Sequence, residues 1–390
     1  MSQTGDMPRQ DRALHVLNRL AFGPRPGDIE RVRSIGAEQF VHEQLHPEAI
    51  EIPDQLVDKV RSYRTLHMTP LALFMEFQRP IAAARASDAN KSDAVKEARM
   101  RSRVVMREAV EARLIRAIEG PRQLQEVMTA FWFNHFNIFA GKGLDHIWTG
   151  AFEEQAIRPH TMGRFRDLLG ATARHPAMLF YLDNWQNTAA GSPGAKGKFE
   201  GINENYAREL MELHTLGVNG GYTQNDVIAL AHILTGWGIA RQGGRNGRRG
   251  PRSGFGPGSG PFGLRPRFAA QRGSGADMAT RVDPSLFYFD SRRHDYGSKT
   301  LLGHTFEGSG ESEGERALDL LARHRSTANR LSYQLARYFV ADEPPKALVQ
   351  RMSQRYLGAD GNIRTVLTTM FESPEFWDRS CYGAKFKTPY

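Results

Sequence analysis

The chain has 390 residues, of which 40% are hydrophobic, and it carries a formal net charge of +9 and a single cysteine. A chain of this length can bury a substantial core. The lone Cys381 excludes an intrachain disulfide and a zinc site built on several cysteines. Hydropathy predicts no membrane span, because no run of about 18 apolar residues occurs.

The positive charge is concentrated in residues 241–275, which hold eight arginines, eleven glycines and no acidic residue. Without those eight charges, the rest of the chain has a net charge of only +1. Such a composition buries too little apolar area to offset the entropy of ordering. We therefore predict a disordered basic insertion. It can bind RNA or another anionic polymer, or it can be a solvated insertion without a specific role.

Hydrophobic periodicity predicts helices along most of the remaining chain. Pro26 and Pro121 are placed to start helices, and Gly120 is placed to end the long helix before it. Two short strands around a polar turn predict a small β-hairpin near 285–303. We predict a single, mainly α, multi-helix domain over residues 1–390. The predicted helical segments are 11–22, 26–36, 91–120, 121–139, 165–175, 177–184, two helices within 203–237 joined by a glycine turn, 315–324, 327–340, 344–357 and 363–377.

One predicted helix, beginning at Asn203, carries charged side chains at every fourth position: Glu204, Arg208 and Glu212. That spacing places the three on one helix face. We predict that Glu204 and Glu212 act as acid–base carboxylates and that Arg208 orients them. The alternative is a solvated row of ion pairs, each contributing about 0.3–0.5 kcal/mol, with Asn203 as the N-cap.

Two histidines fall on apolar helix faces. His214 lies in the middle of the opposite face of the same helix, which includes Leu213, and His135 shares a face with Leu124 and Phe131. A buried histidine is usually a packed ring with a hydrogen-bonding partner, and we predict this for both. The alternative for His214 is a ligand or catalytic role, and the alternative for His135 is a metal ligand or a general base.

A second group of polar residues lies in the turn RRHDYGSK between the two predicted strands. It contains His294 and Asp295, with Lys299 nearby. Loops on rigid scaffolds carry function disproportionately. We predict that His294 and Asp295 are catalytic residues at the rim of the site and that Lys299 contacts substrate. The alternatives are a divalent metal held by His135, His294 and carboxylates, and a plain turn.

Asp183 and Asn184 end a predicted helix just before a glycine-rich loop that leads to Glu204. If Asp183 and Glu204 face one cleft, they supply the two carboxylates that glycoside hydrolysis needs. Asn184, Asn203 and Trp237 are the predicted substrate contacts beside them. Trp237 can equally be a core residue.

The chain contains none of the strong local catalytic motifs, such as H-E-x-x-H, G-x-S-x-G or a Walker loop. Thr223 and Asp226 form a T-x-x-D capping box, which predicts a structural role for Asp226. The spacing of Glu212 and His214 differs from the Glu-x-x-His pattern of carboxylate di-iron bundles. With Cys381 at the edge of the chain, thiol catalysis is not expected.

Eight segments occur in this order along the chain: LNRLAFGP, FWFNHF, HPAMLFYLDN, NENYARELMELHTLGV, YTQNDV…LTGW, HDYGSKTLLG, TANRLSYQLARYFV and KFKTP. Together they resemble a large bacterial family catalogued as domain of unknown function number eighteen hundred. The resemblance implies a predominantly helical fold, frequent export to the periplasm or the extracellular space, and a sulfatase-like secreted protein encoded nearby. It implies no reaction. The chain differs from the usual pattern in lacking a leader, in carrying His214 where members commonly have phenylalanine, and in ending at KFKTP.

The function expected from these residues is hydrolysis of polymeric or glycosidic substrates at a carboxylate and histidine site, with or without a divalent metal. The alternative function is a non-catalytic partner or scaffold for the sulfatase-like neighbour. In that alternative the basic insertion is the contact arm, and polysaccharide or another anionic polymer is a further partner.

Overall fold

The computed structural model describes residues 5–86, 91–197, 199–240 and 283–385. The described part is mainly helical, so the predicted fold class is confirmed. The predicted basic insertion at 241–275 lies outside the described residues. None of the helices described is both long and apolar enough to cross a membrane.

Each predicted segment contains a helix, with shifts of a few residues at most ends, and the segment predicted at 363–377 ends early, at Phe371. Five further helices lie where none was predicted: Ala37–Leu45, Asp54–Ser62, Pro70–Leu73, Arg79–Ala86 and Asp145–Ala151. One helix begins at Gln123 instead of Pro121, because Arg122 takes the N-cap position. The α-helices are Arg9–Leu20, Asp28–Ile35, Ala37–Leu45, Asp54–Ser62, Pro70–Leu73, Arg79–Ala86, Lys91–Glu119, Gln123–His135, Asp145–Ala151, Phe165–Arg174, Pro176–Tyr181, Asn205–Glu209, Gln224–Ile233, Glu311–Arg323, Arg325–Phe339, Lys346–Gly358 and Ile363–Phe371.

Shorter helical turns connect these elements. π-helical turns occupy Phe74–Gln78, Phe152–Ile157 and Leu210–His214, each continuing an α-helix. The 3-10 turns are Pro47–Ala49, Arg64–His67, Arg158–His160, Asn184–Gln186 and Arg379–Cys381.

In the described residues, four short strands form two antiparallel pairs. β1 (Trp237–Ile239) pairs with β2 (Phe287–Phe289), and β3 (Lys299–Leu301) pairs with β4 (His304–Phe306). Both predicted strands are therefore present, but they pair with other strands and not with each other. The reason lies in Leu302 and Gly303, whose φ values of 50° and 78° are those of a two-residue type I′ hairpin turn.

The helix Gln224–Ile233 is held at both ends. At its start, the predicted capping box is confirmed, with Thr223 and Asp226 satisfying each other's backbone amides. Asp226 also accepts a hydrogen bond of 2.7 Å from the Leu302 amide, which ties the helix to the β3–β4 turn. Just beyond the helix, Asn184 Nδ2 donates to the Trp237 carbonyl at 2.9 Å. These contacts position the helix from its first turn and from the segment that follows it, and the candidate site lies at its last turn.

Trp237 is a core residue. It is completely buried, and Arg174 places its guanidinium 5.4 Å from the centre of the indole ring. The ring lies against Gly314, where an added Cβ would come within 2.2 Å of Trp237 Cζ2. Of the two roles left open for Trp237, the structure supports packing and not a substrate contact.

The close approach of Gly314 to Trp237 predicts a large effect of a single methyl group. Gly314→Ala is expected to lower the free energy of unfolding by about 1–3 kcal/mol, because the overlap must be relieved by moving a buried indole. The matched control is Gly358→Ala, also in a helix, where an added Cβ meets nothing within 4 Å. The control should be neutral or stabilising by up to about 1 kcal/mol. Equal changes for the two variants in urea unfolding would contradict the packing described.

Candidate functional site

The predicted charged stripe is a partly exposed row of ion pairs. Arg208 lies 3.0 Å from Glu204 and 3.4 Å from Glu212, and the three side chains are 38%, 34% and 26% exposed respectively. Outside the helix, Gln224 bonds both Arg208 and Glu204, and Glu212 bonds Tyr222. Burial and Glu212 raise the pKa of the Tyr222 hydroxyl. The stripe is thus satisfied locally, whereas Asp183 and His294, expected within its reach, are bound to other partners.

The opposite face of this helix differs from the prediction at Leu213. The π turn Leu210–His214 widens the helix and shifts its phase. Leu213 therefore rotates outward and is 47% exposed, while His214 remains buried at 4%.

His135 and His214 are neighbours, with ring centres 6.3 Å apart. His135 Nε2 lies 3.0 Å from the His214 carbonyl, which is the kind of partner predicted for it. Burial lowers the pKa of His135 to about 4 and that of His214 to about 3. Both rings are therefore neutral near pH 7. Within the described part of the chain, no group of three or more His, Cys, Asp or Glu side chains is arranged to hold a metal ion.

Asp183 belongs to a cluster with Lys142 and Asp145. Its carboxylate lies 2.8 Å from Lys142 Nζ, and its backbone has a φ of 59°, which is uncommon for a residue with a side chain. Asp145 is completely buried, and neither of its carboxyl oxygens has a hydrogen-bonding partner among the residues that the structure describes. Burial raises the pKa of Asp145 to about 8, with Lys142 opposing the rise and Asp183 adding to it. Asp145 is thus protonated near pH 7.

The two predicted asparagine contacts are structural in different ways. Asn184 is completely buried, and its side-chain amide holds the carbonyl of Trp237. Asn203 is half-buried, and its side-chain oxygen accepts a hydrogen bond from the Asn205 amide, at the first turn of the helix. Asn184 is out of reach of a substrate in this structure because no part of it is exposed.

His294 was expected at the rim of a site, but it is buried, with its side chain fully enclosed. Its Nδ1 donates to the Thr235 carbonyl at 2.8 Å, and Nε2 lies 3.2 Å from Glu313 Oε2. Burial, with Lys299 adding to it, lowers the pKa of His294. The predicted position of His294 at the rim of the site was therefore wrong, because its ring is packed inside the protein.

Glu313 is the centre of the buried network. Its side chain has no exposed surface, and it accepts hydrogen bonds from Lys299 Nζ at 2.7 Å and from the Ser309 amide at 3.0 Å. Lys299 also donates to the Asp295 carbonyl. Lys299 is only 8% exposed, and its ammonium group connects the loop at Asp295 to the helix Glu311–Arg323. Because Lys299 is buried, the substrate contact predicted for it is not accessible.

Asp295 is the member of the predicted set that is both accessible and paired with a base. Its Oδ2 lies 2.6 Å from Nδ1 of His232, and the two side chains are 28% and 32% exposed. The Asp295 amide donates to Thr235 Oγ1 at 2.9 Å, and its Oδ1 accepts from the Gly297 amide at 2.8 Å. Partial burial opposes ionisation, but Gly297, Lys299 and His232 outweigh it and lower the pKa of Asp295.

His232 was missed in the sequence, although it stands three residues before Thr235 in LAHILTGW. Its position in the last turn of the helix Gln224–Ile233 is one at which a cationic ring is favoured by the helix dipole. Nδ1 is enclosed and lies 2.6 Å from Asp295 Oδ2; this is a close contact, and no aligned hydrogen bond to Nδ1 occurs among the described residues. No partner of Nε2 occurs among the described residues. The His232–Asp295 pair is therefore the strongest candidate for a chemically active site.

The chain belongs to the family described as Protein of unknown function (DUF1800), whose model matches residues 15–390. This confirms the resemblance inferred from the eight ordered segments. No curated protein and no solved structure matches the chain.

The buried network predicts a large stability effect at Glu313. Glu313→Ala leaves the Lys299 ammonium buried without its carboxylate, which is expected to cost about 3–5 kcal/mol. Arg208→Ala, which breaks two partly exposed ion pairs, should cost at most about 1 kcal/mol. Urea unfolding at pH 7 compares the two. A Glu313→Ala loss as small as that of Arg208→Ala would refute the buried network.

Asp145 predicts a specific dependence of stability on pH. The folded chain keeps this proton up to about pH 8, whereas the ordinary carboxyl pKa is 3.8. The folded state therefore binds more protons between these values. This contribution to stability is complete below pH 4 and is lost as the pH rises to 8, by up to about 1.4 kcal/mol per pH unit.

Asp145→Asn removes the ionisation and is expected to stabilise the protein more at pH 8 than at pH 5. The free energy of unfolding at the two pH values measures this difference. The control is Asp58→Asn at a side chain that is 73% exposed, where the change should be the same at both. A pH-independent effect of Asp145→Asn would show that the carboxyl ionises normally.

Proposed function

We propose that this protein is a hydrolase in which the His232–Asp295 pair activates water as a general base. The observation that supports this most strongly is the 2.6 Å separation of Asp295 Oδ2 and His232 Nδ1 in two side chains that are each about a third exposed. The pair thus combines a defined geometry with access for a substrate. The alternatives are weaker, because His294 is buried and the half-buried His135 bonds a backbone carbonyl and not a carboxylate.

The proposed chemistry depends on which imidazole nitrogen of His232 faces the Asp295 carboxylate. An ionised Asp295 holds the proton on Nδ1 of His232, which leaves the lone pair on Nε2 to accept a proton from water. The carboxylate then stabilises the imidazolium that forms. Partial burial opposes ionisation, but Gly297 and Lys299 lower the pKa of Asp295, which keeps the carboxylate ionised beside the imidazole.

The substrate class proposed is the polymeric or glycosidic class expected from the sequence. Glycosidic hydrolysis needs a carboxyl group in addition to a base. Asp183, Glu204 and Glu212 are accessible, with side chains that are 32%, 34% and 26% exposed. Of these, Asp183 is favoured as the second group because its left-handed backbone conformation is of the kind retained at functional sites. Arg208 remains in the proposal as the residue that orients Glu204 and Glu212.

The non-catalytic alternative is favoured by a single observation, the eight arginines without an acidic residue at 241–275. A sulfatase-like neighbour or an anionic polysaccharide would bind there through electrostatic attraction. In that case hydrolysis would be absent, and binding would weaken steeply with added salt.

The hydrolase proposal is tested by screening the purified chain on polysaccharides, aryl glycosides and aryl esters, with His232→Asn and Asp295→Asn beside the parent. Loss of the base should lower kcat by about 10²–10⁴-fold. His304→Asn, at an exposed histidine on β4, is the matched control and should retain full activity. Near-ultraviolet circular dichroism checks that each variant is folded. No turnover in the parent, or full turnover in both site variants, would contradict the proposal.

A further inference from the structure

A groove of about 470 Å³ lies on a part of the molecule that the proposed reaction does not use. One side is the helix Asp54–Ser62 with the residues just before it, and the other is the connection that leads into the helix Gln123–His135. Neither His232 nor Asp295 lines it. The volume is within the range of about 300–1,000 Å³ that is usual for small-molecule sites.

One wall of the groove is apolar. It is formed by Ile52, Leu56, Val57 and Val60. Val57 and Val60 are three residues apart and therefore lie on one helix face, next to Leu56. Ile52 is 36% exposed. This wall offers a continuous apolar surface to a ligand, and covering it would be favourable by about 25 cal/mol per Å².

The charges at the bottom of the groove are balanced. Arg158 lies 2.7 Å from Glu126 and 3.1 Å from Glu153, and Arg116 pairs with Glu154. Together with Arg113, which lies 3.5 Å from Glu153, three arginines face three carboxylates. This network therefore attracts neither anions nor cations on its own.

Arg122 lies at the rim of the groove and is not part of this balanced network of ion pairs. Its Nε donates to the Ile50 carbonyl at 2.9 Å. Neither of its terminal nitrogens has a partner within the described ranges. Arg61, the other rim arginine, pairs with Asp58 and with no other acidic side chain in the described part of the chain, and both of those side chains are 73% exposed. A guanidinium with two free nitrogens presents a fork that matches a carboxylate.

We propose that the groove binds an amphiphilic anion, a linear apolar chain ending in a single carboxylate. Arg122 pairs with the carboxylate, and the apolar wall takes the chain. The apolar wall and the Arg122 guanidinium together favour a ligand that has both an apolar chain and a carboxylate. A neutral apolar molecule leaves the Arg122 fork unpaired, and a small anion leaves the wall exposed to water.

Isothermal titration of the full chain with decanoate, below its micellar concentration, tests the proposal. One saturable site is expected. Decanol, which keeps the chain but lacks the charge, and acetate, which keeps the charge but lacks the chain, should each bind at least tenfold more weakly. Absence of saturable decanoate binding, or equal affinity for decanol, would overturn the proposal.

Two variants locate the site. Arg122→Gln should weaken decanoate at least tenfold, whereas Arg355→Gln, at an exposed helical arginine, should leave the affinity unchanged. Because Arg122 also holds Ile50, Val60→Gln provides an independent test, since it makes the apolar wall polar without touching that contact. Undiminished decanoate binding in folded Arg122→Gln, or in Val60→Gln, would place the ligand elsewhere and refute the assignment.

Discussion

The fully enclosed carboxylate of Glu313 is the interaction on which the candidate site depends. A buried charge is tolerated only when it is paired and hydrogen-bonded, and Glu313 meets that condition through Lys299 and the Ser309 amide. Lys299 in turn holds the Asp295 carbonyl. The position of the Asp295 side chain is therefore fixed on its buried side, by an ion pair that water does not reach.

The second support of the site is Thr235, just beyond the helix that carries His232. Its hydroxyl accepts from the Asp295 amide at 2.9 Å, and its carbonyl accepts from His294 at 2.8 Å. Hydrogen bonds thus join the backbone segment just after His232 to the segment that contains Asp295. The pair is accessible while its supporting residues are buried, which is the arrangement that holds reactive side chains in a defined geometry.

Much of the fold could be predicted from the sequence, because local signals decide it. The helical segments follow apolar periodicity, and the capping box at Thr223 and Asp226 is a short-range motif. Strand pairing was not predictable in the same way. Strand pairing depends on Leu302 and Gly303 both adopting positive φ. A leucine in the sequence does not indicate such a turn.

The candidate site was less predictable, because it is assembled from residues far apart in the chain. Asp295 was identified from its loop, but His232 lies 63 positions earlier in a helix that looks like ordinary core. Glu313 lies just before the helix predicted at 315–324, and only the fold reveals that it is enclosed. The π turn at Leu210–His214 likewise shifts Leu213 outward in a way that regular helical spacing does not indicate.

In the proposed reaction, Asp295 fixes the proton of His232 on Nδ1 and leaves Nε2 as the base. The most direct measurement is ¹⁵N nuclear magnetic resonance of histidine-labelled protein, which distinguishes the two neutral tautomers, with His232→Asn used to assign the His232 signals. The Nδ1–H tautomer is expected in the parent chain, and a changed tautomer balance is expected in Asp295→Asn. An Nε2–H tautomer in the parent, or a His232 signal indifferent to Asp295→Asn, would contradict the proposed reaction.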